Sequence, residues 1–315
     1  MSGTSIVRPF SLGRNTTLAG IGLMVLGLFV FSVNDVMGKW LVASYSVGQI
    51  VLIRSIAALA VLSPFILREG AAFFRVERPR VQIARAIFAT ADVGMFYWAV
   101  AYLPLADVMT FYLAGPIYVT AMAALFLGER VGPVRWIAVL VGFGGVLVAL
   151  GPSILQFSWP SLIALGGSLG FSGLMVTTRL SRGAGDVQLV GFQIIAGLIF
   201  GIVAAPFAWV TPDSTGLVML GLLGIVSMFA FVCVNRALKL APASVVVPYQ
   251  YTLIVWAVVF GYFIFDELPR ATTLLGAAII VGAGIFLFLH EQAQKRQQAR
   301  SGESAIGDTP LEPRP

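Results

Sequence analysis

The stretch "LAGIGLMVLGLFVFSVNDVMGKWL", residues 18–41, decides how the rest of the chain is read. From Leu18 to Val33 it has no charged or amide side chain, and then Asn34, Asp35 and Lys39 follow within six positions. A helix over these residues is roughly 36 Å long at 1.5 Å per residue, enough to cross about 30 Å of hydrocarbon. It is apolar on every side, so it lacks the single buried stripe of a water-soluble surface helix. The reading is a membrane span that carries charges at depth, where an unpaired ion is costly.

Outward from this stretch the same pattern repeats. The 315 residues are 58% hydrophobic and 11% charged, with a mean hydropathy of +0.93, which leaves too few charges to coat a water-facing surface. Charged and Pro/Gly-rich breaks divide the chain into ten apolar segments. They run near 17–39, 47–67, 81–102, 106–127, 133–150, 159–179, 187–209, 216–238, 243–264 and 271–290. None alternates polar and apolar as barrel strands do. The expected fold class is therefore an all-α polytopic membrane protein with ten transmembrane helices. The first segment lacks a small-residue cleavage site, so it reads as a span and not as a cleaved leader.

The basic residues set the topology. Arg8 and Arg14, then Arg68, Arg75, Arg78 and Arg80, then Arg130 and Arg135, fall on one side. Arg179, Arg182, Arg236, Lys239, Lys295, Arg296 and Arg300 complete that side, while the opposite loops carry only Arg270. Basic loops stay inside, which predicts both termini in the cytoplasm. The net charge of +6 is thus a topology signal, and no nucleic-acid partner is expected. The single Cys233 rules out an intrachain disulfide and a cysteine metal cluster.

Two stretches resemble each other: "AYLPLADVMTFYLAGPIYVTAMAALFLGERV" from Ala101 and "KLAPASVVVPYQYTLIVWAVVFGYFIFDELP" from Lys239. Aligning Glu129 with Glu267 gives an offset of 267 − 129 = 138, which also sets Pro104 on Pro242 and Gly144 on Gly282. Each half then holds five spans, and an odd number threads the second copy through the membrane in the opposite sense. The expected organisation is a cytoplasmic tail (1–16), a first repeat (17–150), an inverted second repeat (151–290) and a disordered cytoplasmic tail (291–315).

The "LPLADV…FLGERV" and "LAPASV…FIFDEL" signatures resemble the EamA branch of the drug/metabolite transporter superfamily, over nearly everything from Thr17 to Leu289. The resemblance implies a central substrate cavity lined by spans 1, 3, 4, 6, 8 and 9. It places spans 5 and 10 at the periphery or at an oligomer interface, which leaves room for a homodimer. The segment "FSVNDVMGKWL…QIVLIRS" is similar to members with Asn-Asp, Lys and Arg in this order in their first two helices. Some of those take up riboflavin or S-adenosylmethionine, whereas other family members export amino acids or drugs. The resemblance also implies a multi-pass location in the bacterial inner membrane.

Ionisable side chains inside spans are candidate functional groups by default. Asp35 and Lys39, four apart, share a helix face, and Arg54 enters span 2 from the same side at a similar depth of roughly 10 Å. The three can form a mutually paired cluster, which either binds solute or simply fixes the packing of spans 1 and 2. Lys39 can also extend outward along its stem. Arg85 and Asp92 share a stripe of span 3 with Phe88 and Phe96. Asp92, near mid-span, is a candidate for coupling a proton or for pairing a basic solute, with a plain interhelical salt bridge as the alternative.

Of the aromatic residues Tyr97, Trp98, Phe111, Tyr112, Tyr118, Tyr249, Tyr251 and Trp256, most are assigned to interfacial belts or lipid. Tyr112, Tyr249 and Gln250 are retained as candidate solute contacts on spans 4 and 9. Asn235 is a further candidate, and it and Gln193 can equally bridge helices. The small-residue pairs Gly166/Gly170 and Gly197/Gly201 read as helix contacts. Pro116 and Pro248 read as kinks inside spans 4 and 9.

No G-x-x-x-x-G-K-[ST] loop, H-E-x-x-H or Asp-x-x-x-Asp is present, and the single histidine is His290. No metal site or cofactor is expected, and an enzyme acting on lipid-linked substrates is disfavoured. The expectation is a secondary transporter of a small organic metabolite. Uptake of a planar vitamin such as riboflavin comes first, with S-adenosylmethionine uptake or amino-acid/drug export as alternatives.

Overall fold

In hydrocarbon every backbone N–H and C=O must be satisfied within its own segment, so apolar runs of this length fold as helices. A computed structural model describes residues 14–103, 105–113, 115–128, 131–150 and 159–266, with scattered positions between 271 and 293. The described residues contain helices and turns and no strand. Expectations that concern Pro104, Glu129, Glu267 and the tail 291–315 lie outside the described residues.

The helices are α1 (Arg14–Val42), α2 (Val47–Glu69), α3 (Pro79–Val100), α4 (Leu105–Tyr112), α5 (Gly115–Phe126) and α6 (Pro133–Leu150). They continue with α7 (Trp159–Leu180), α8 (Asp186–Ala204), α9 (Ser214–Leu240), α10 (Ala243–Val246) and α11 (Thr252–Phe265). Seven helical stretches, 16–42, 47–74, 79–100, 159–180, 186–208, 214–240 and 247–265, are long and apolar enough to cross a membrane. Shorter apolar helices over Gly115–Phe126, Pro133–Gly145 and Leu274–Ala283 stand where the sequence places spans 4, 5 and 10. Outward-facing side chains are as apolar as the core: Phe207 is 87% exposed and Phe263 77%, which suits acyl chains and not water.

Span 4 departs from the single helix expected of it. Helix α4 stops at Tyr112 and α5 starts at Gly115-Pro116. Pro116 lacks an N–H, and its ring clashes with the carbonyl four residues back, that of Tyr112. Span 9 breaks correspondingly: after α10 the backbone tightens into a 3₁₀ turn over Val247–Tyr251, which contains Pro248, before α11 begins. The ends of these two spans also match. Gly128 and Asp266, related by 266 − 128 = 138, both adopt left-handed φ, at 62° and 54°. Glycine takes this conformation freely, and aspartate is among the few other residues that tolerate it.

Helix packing repeats in the same way. Helix α1 lies along α9, and α3 lies along α7; exchanging the halves converts one pair into the other. The contacts of α2 with α9 and of α3 with α8 are related likewise, while α2 with α8 and α4 with α11 map onto themselves. A pseudo-two-fold relation between the two halves accounts for all of these pairings. Close approach along them uses the expected small residues. A Cβ added at Gly170 would stand 3.1 Å from the Asp92 amide nitrogen, and one at Gly201 2.6 Å from the Leu52 backbone.

Candidate substrate site

The broken spans and the α1/α9 and α3/α7 pairs enclose a cleft at the centre of the bundle. Phe31, Asn34 and Asp35 come from α1, Arg54 from α2, and Asp92, Val93, Phe96 and Tyr97 from α3. Met109 and Tyr112 of α4, Phe171 of α7, Phe231 of α9 and Leu253 of α11 close it. Two acids and one arginine therefore stand inside a wall of aromatic rings.

Hydrogen bonds fix most of these polar groups. The Arg54 guanidinium donates to Tyr97 Oη at 2.8 Å, Tyr97 donates to Asn34 Oδ1 at 3.3 Å, and Asn34 Nδ2 donates to the Leu223 carbonyl at 2.8 Å. On the other side, Tyr112 Oη donates to Asp92 Oδ1 at 2.9 Å. Arg54 and Asp92 are buried, at 8% and 6% exposure, and Asp35 is half-buried at the cleft. Glycines seat both tyrosines. At Gly38 a side chain would collide with the Tyr97 ring, and at Gly167 it would collide with the Tyr112 hydroxyl.

The ring pairs Phe31/Phe231, Phe96/Tyr112 and Phe96/Tyr97 meet edge to face, with centroids 4.7, 5.5 and 5.5 Å apart. The cleft holds about 50 Å³, space for a few waters, whereas organic ligands occupy pockets of roughly 300–1,000 Å³. This conformation is contracted about its polar centre.

The sequence-derived candidates divide. Asp35, Arg54, Asp92 and Tyr112 come together at the cleft. Lys39 does not join Asp35 and Arg54, because its ammonium lies 4.3 Å from the centroid of the Phe265 ring. Arg85 shares a stripe with Asp92 but serves a separate network. It is fully buried and donates to Thr178 Oγ1 (2.8 Å), the Leu189 carbonyl (2.6 Å), Gln193 Oε1 (3.1 Å) and Asn235 Oδ1 (3.2 Å). One side chain thus ties α3 to α7, α8 and α9, and Asn235 and Gln193 reach it and not the cleft.

Tyr249 and Gln250 lie in the 3₁₀ turn of span 9, outside the cleft wall. Gln250 is 1% exposed and lies beside Gly115, and among the described residues neither its Oε1 nor its Nε2 has a hydrogen-bond partner. Tyr97, assigned from sequence to the interfacial group, is 1% exposed and central. Nothing in its sequence neighbourhood separates it from Trp98, the next residue, which faces outward. Asn34 is visible beside Asp35, and Phe96 on the Asp92 stripe. Of the interfacial group Trp98 is on the exterior, where it meets Trp159, itself 4.7 Å from Tyr102, whereas Tyr251 is 2% exposed.

The profile of the EamA-like transporter family matches residues 18–151 and again 158–289. An S-adenosylmethionine uptake transporter of Rickettsia felis is 27% identical, over 92% of this chain and 98% of its own length. A riboflavin transporter of Rhizobium johnstonii is 28% identical over 88% and 93%, and the pseudopaline exporter CntI of Pseudomonas aeruginosa 28% over 85% and 95%. One solved crystal structure superposes with a TM-score of 0.71 at 17% identity, covering 89% of this chain and 98% of the other, a likeness of fold alone.

Proposed function

Because the chain belongs to the EamA-like transporter family, we propose that it takes up a small organic metabolite bearing both a cation and a carboxylate on an aromatic body, of the S-adenosylmethionine type. It is a multi-pass protein of the bacterial inner membrane and a transporter by family. The observation that carries the finer reading is the placement of Asp35, Asp92 and Arg54 together within one aromatic cleft. Asp35 and Asp92 suit a sulfonium or ammonium group, which the faces of Phe31, Phe96 and Phe231 also attract. Arg54 suits a carboxylate, for which its planar fork is shaped. A flat base would stack on the remaining rings.

Riboflavin, the first expectation from sequence, matches the rings but carries no cation to neutralise the two acids of the cleft. Export is the competing direction, since a relative of similar identity is named as an exporter. For the contracted cleft to admit such a solute the halves must separate, and two five-span halves of opposite threading, with both termini in the cytoplasm, supply the alternating openings. Without a nucleotide-binding loop, a gradient drives the cycle.

The test is uptake of labelled S-adenosylmethionine and labelled riboflavin into proteoliposomes. Saturable S-adenosylmethionine entry that excess riboflavin fails to inhibit supports the reading. Entry of riboflavin alone refutes it.

A further inference from the structure

A second, larger cavity lies away from the cleft, on the face that carries the arginine-rich loops. It encloses about 800 Å³, within the range of organic-ligand pockets. Its wall runs from the end of α2 through Arg75, Glu77 and Arg78 to Gln82 on α3. It returns along the 179–185 turn to Gln188 on α8. It shares no lining residue with the central cleft, and along α3 Arg85 lies between Gln82 of this wall and Asp92 of the cleft.

Three features make this wall attractive to anions. Among the described residues Arg75, Arg78, Arg179 and Arg182 line it against Glu69 and Glu77, which leaves a positive excess there. Among the described residues the Arg75 and Arg182 guanidiniums form no ion pair. Helices α3 and α8 both begin at this wall, and neither N-cap, Arg78 or Gly185, supplies a side-chain cap. By contrast, α2 and α9, which begin on the opposite face, are capped by Ser46 and Asp213. Asp186, in the first turn of α8, is held by Arg236 and Lys239 on α9. Two uncapped N-termini each add about half a positive charge and free N–H donors, except that Pro79 at the start of α3 has no N–H.

Gln82 is the independent sign of a ligand. It is 4% exposed and lines the cavity; its Nε2 is buried and, among the described residues, has no hydrogen-bond partner, so a turn of the terminal amide would present this donor to the cavity. Membrane topology accounts for arginines on this face, but it accounts for neither an orphaned amide donor nor uncapped helix ends.

We propose that this vestibule is a binding site for a phosphate-bearing anion, held by Arg75 and Arg182, the Gln82 amide and the N-termini of α3 and α8. The site is independent of which solute the central cleft carries. A free diphosphate or nucleotide and an anionic lipid headgroup share the chemistry, and the experiment separates them.

Full-length protein in phosphatidylcholine nanodiscs is titrated with pyrophosphate by calorimetry. The expected result is saturable binding that weakens steeply with added KCl, because the donors are cationic. Gln82→Leu, which changes no charge and so leaves topology alone, should weaken binding about tenfold, the loss of one charge-assisted hydrogen bond. Arg75→Gln with Arg182→Gln should weaken it further; if that pair fails to fold, Gln82→Leu alone decides. Repeating the titration in nanodiscs containing phosphatidylglycerol assigns the source. Binding abolished there identifies the lipid headgroup, and binding retained identifies a free anion; both uphold the site. No saturable binding in phosphatidylcholine, or binding unchanged by Gln82→Leu, overturns it.

Discussion

Asp92→Asn isolates charge from shape at the centre of the cleft. The two side chains are nearly the same size, and asparagine keeps an Oδ1 to accept the 2.9 Å hydrogen bond from Tyr112. The variant should therefore fold and insert normally. What it removes is one negative charge from a residue only 6% exposed, beside Arg54 and Asp35. Truncating one partner of a buried, hydrogen-bonded charge pair costs roughly 2–5 kcal/mol in binding. At about 1.4 kcal/mol per decade, the apparent affinity for a cationic solute falls at least about 30-fold. The assay is the initial rate of labelled S-adenosylmethionine uptake in proteoliposomes as a function of solute concentration, with thermal unfolding of the same preparation as control. If Asp92 only accepts from Tyr112, Asn substitutes for it and uptake is unchanged. Wild-type uptake in Asp92→Asn would refute the assignment of this carboxylate to solute or coupling.

Further outcomes follow from other contacts. Arg85→Met removes four interhelical hydrogen bonds, and at roughly 0.6 kcal/mol each the loss is about 2 kcal/mol; a lowered unfolding temperature in detergent checks it, and an unchanged one contradicts the network. Gly38→Ala pushes a methyl into the Tyr97 ring and should depress uptake, with Tyr97→Leu in the same chain restoring packing but not transport, as expression and uptake measured together would reveal. Tyr97→Phe breaks the Arg54–Tyr97–Asn34 chain and should raise the solute concentration for half-maximal uptake several-fold, at about 1 kcal/mol for one net hydrogen bond.

Much of the architecture was legible in the chain because hydrocarbon enforces it. Segment lengths, the apolar exterior and the alternation of basic loops follow from the solvent and need no tertiary information. The 138-residue offset was equally readable, and it reappears in the paired left-handed residues Gly128 and Asp266. The division of span 4 was less so: Pro116 announced a kink, but the two separate helices depend on what α7 and α11 offer around the break.

Within the site, Asp35, Arg54 and Asp92 were legible as costly charges, whereas their partners were not. Arg85 and Asp92 lie on one stripe of α3, yet Arg85 turns to neutral acceptors on three other helices, a choice only packing decides. Tyr97 illustrates the same limit. A tyrosine in a membrane helix serves belt and binding site with equal ease, and Gly38, 59 positions earlier by 97 − 38 = 59, determines which. The vestibule escaped sequence reading because Arg75 and Arg182 read there as topology signals, while its other donors are backbone amides and one uncharged glutamine on separate segments.

The proposed alternation requires two five-span halves threaded in opposite directions. Tyr102 and Leu240 are mates under the offset, since 240 − 102 = 138; Tyr102 lies in the turn just after α3, and Leu240 is the last residue of α9. Tyr102→Cys and Leu240→Cys, each alone in a Cys233→Ala background, can be challenged in intact cells with a membrane-impermeant maleimide and again after permeabilisation. The prediction is that the thiol introduced by Tyr102→Cys reacts from outside, and that introduced by Leu240→Cys only after the membrane is opened. Labelling of both from the same side would contradict the inverted arrangement, and with it the proposed alternation around Asp92.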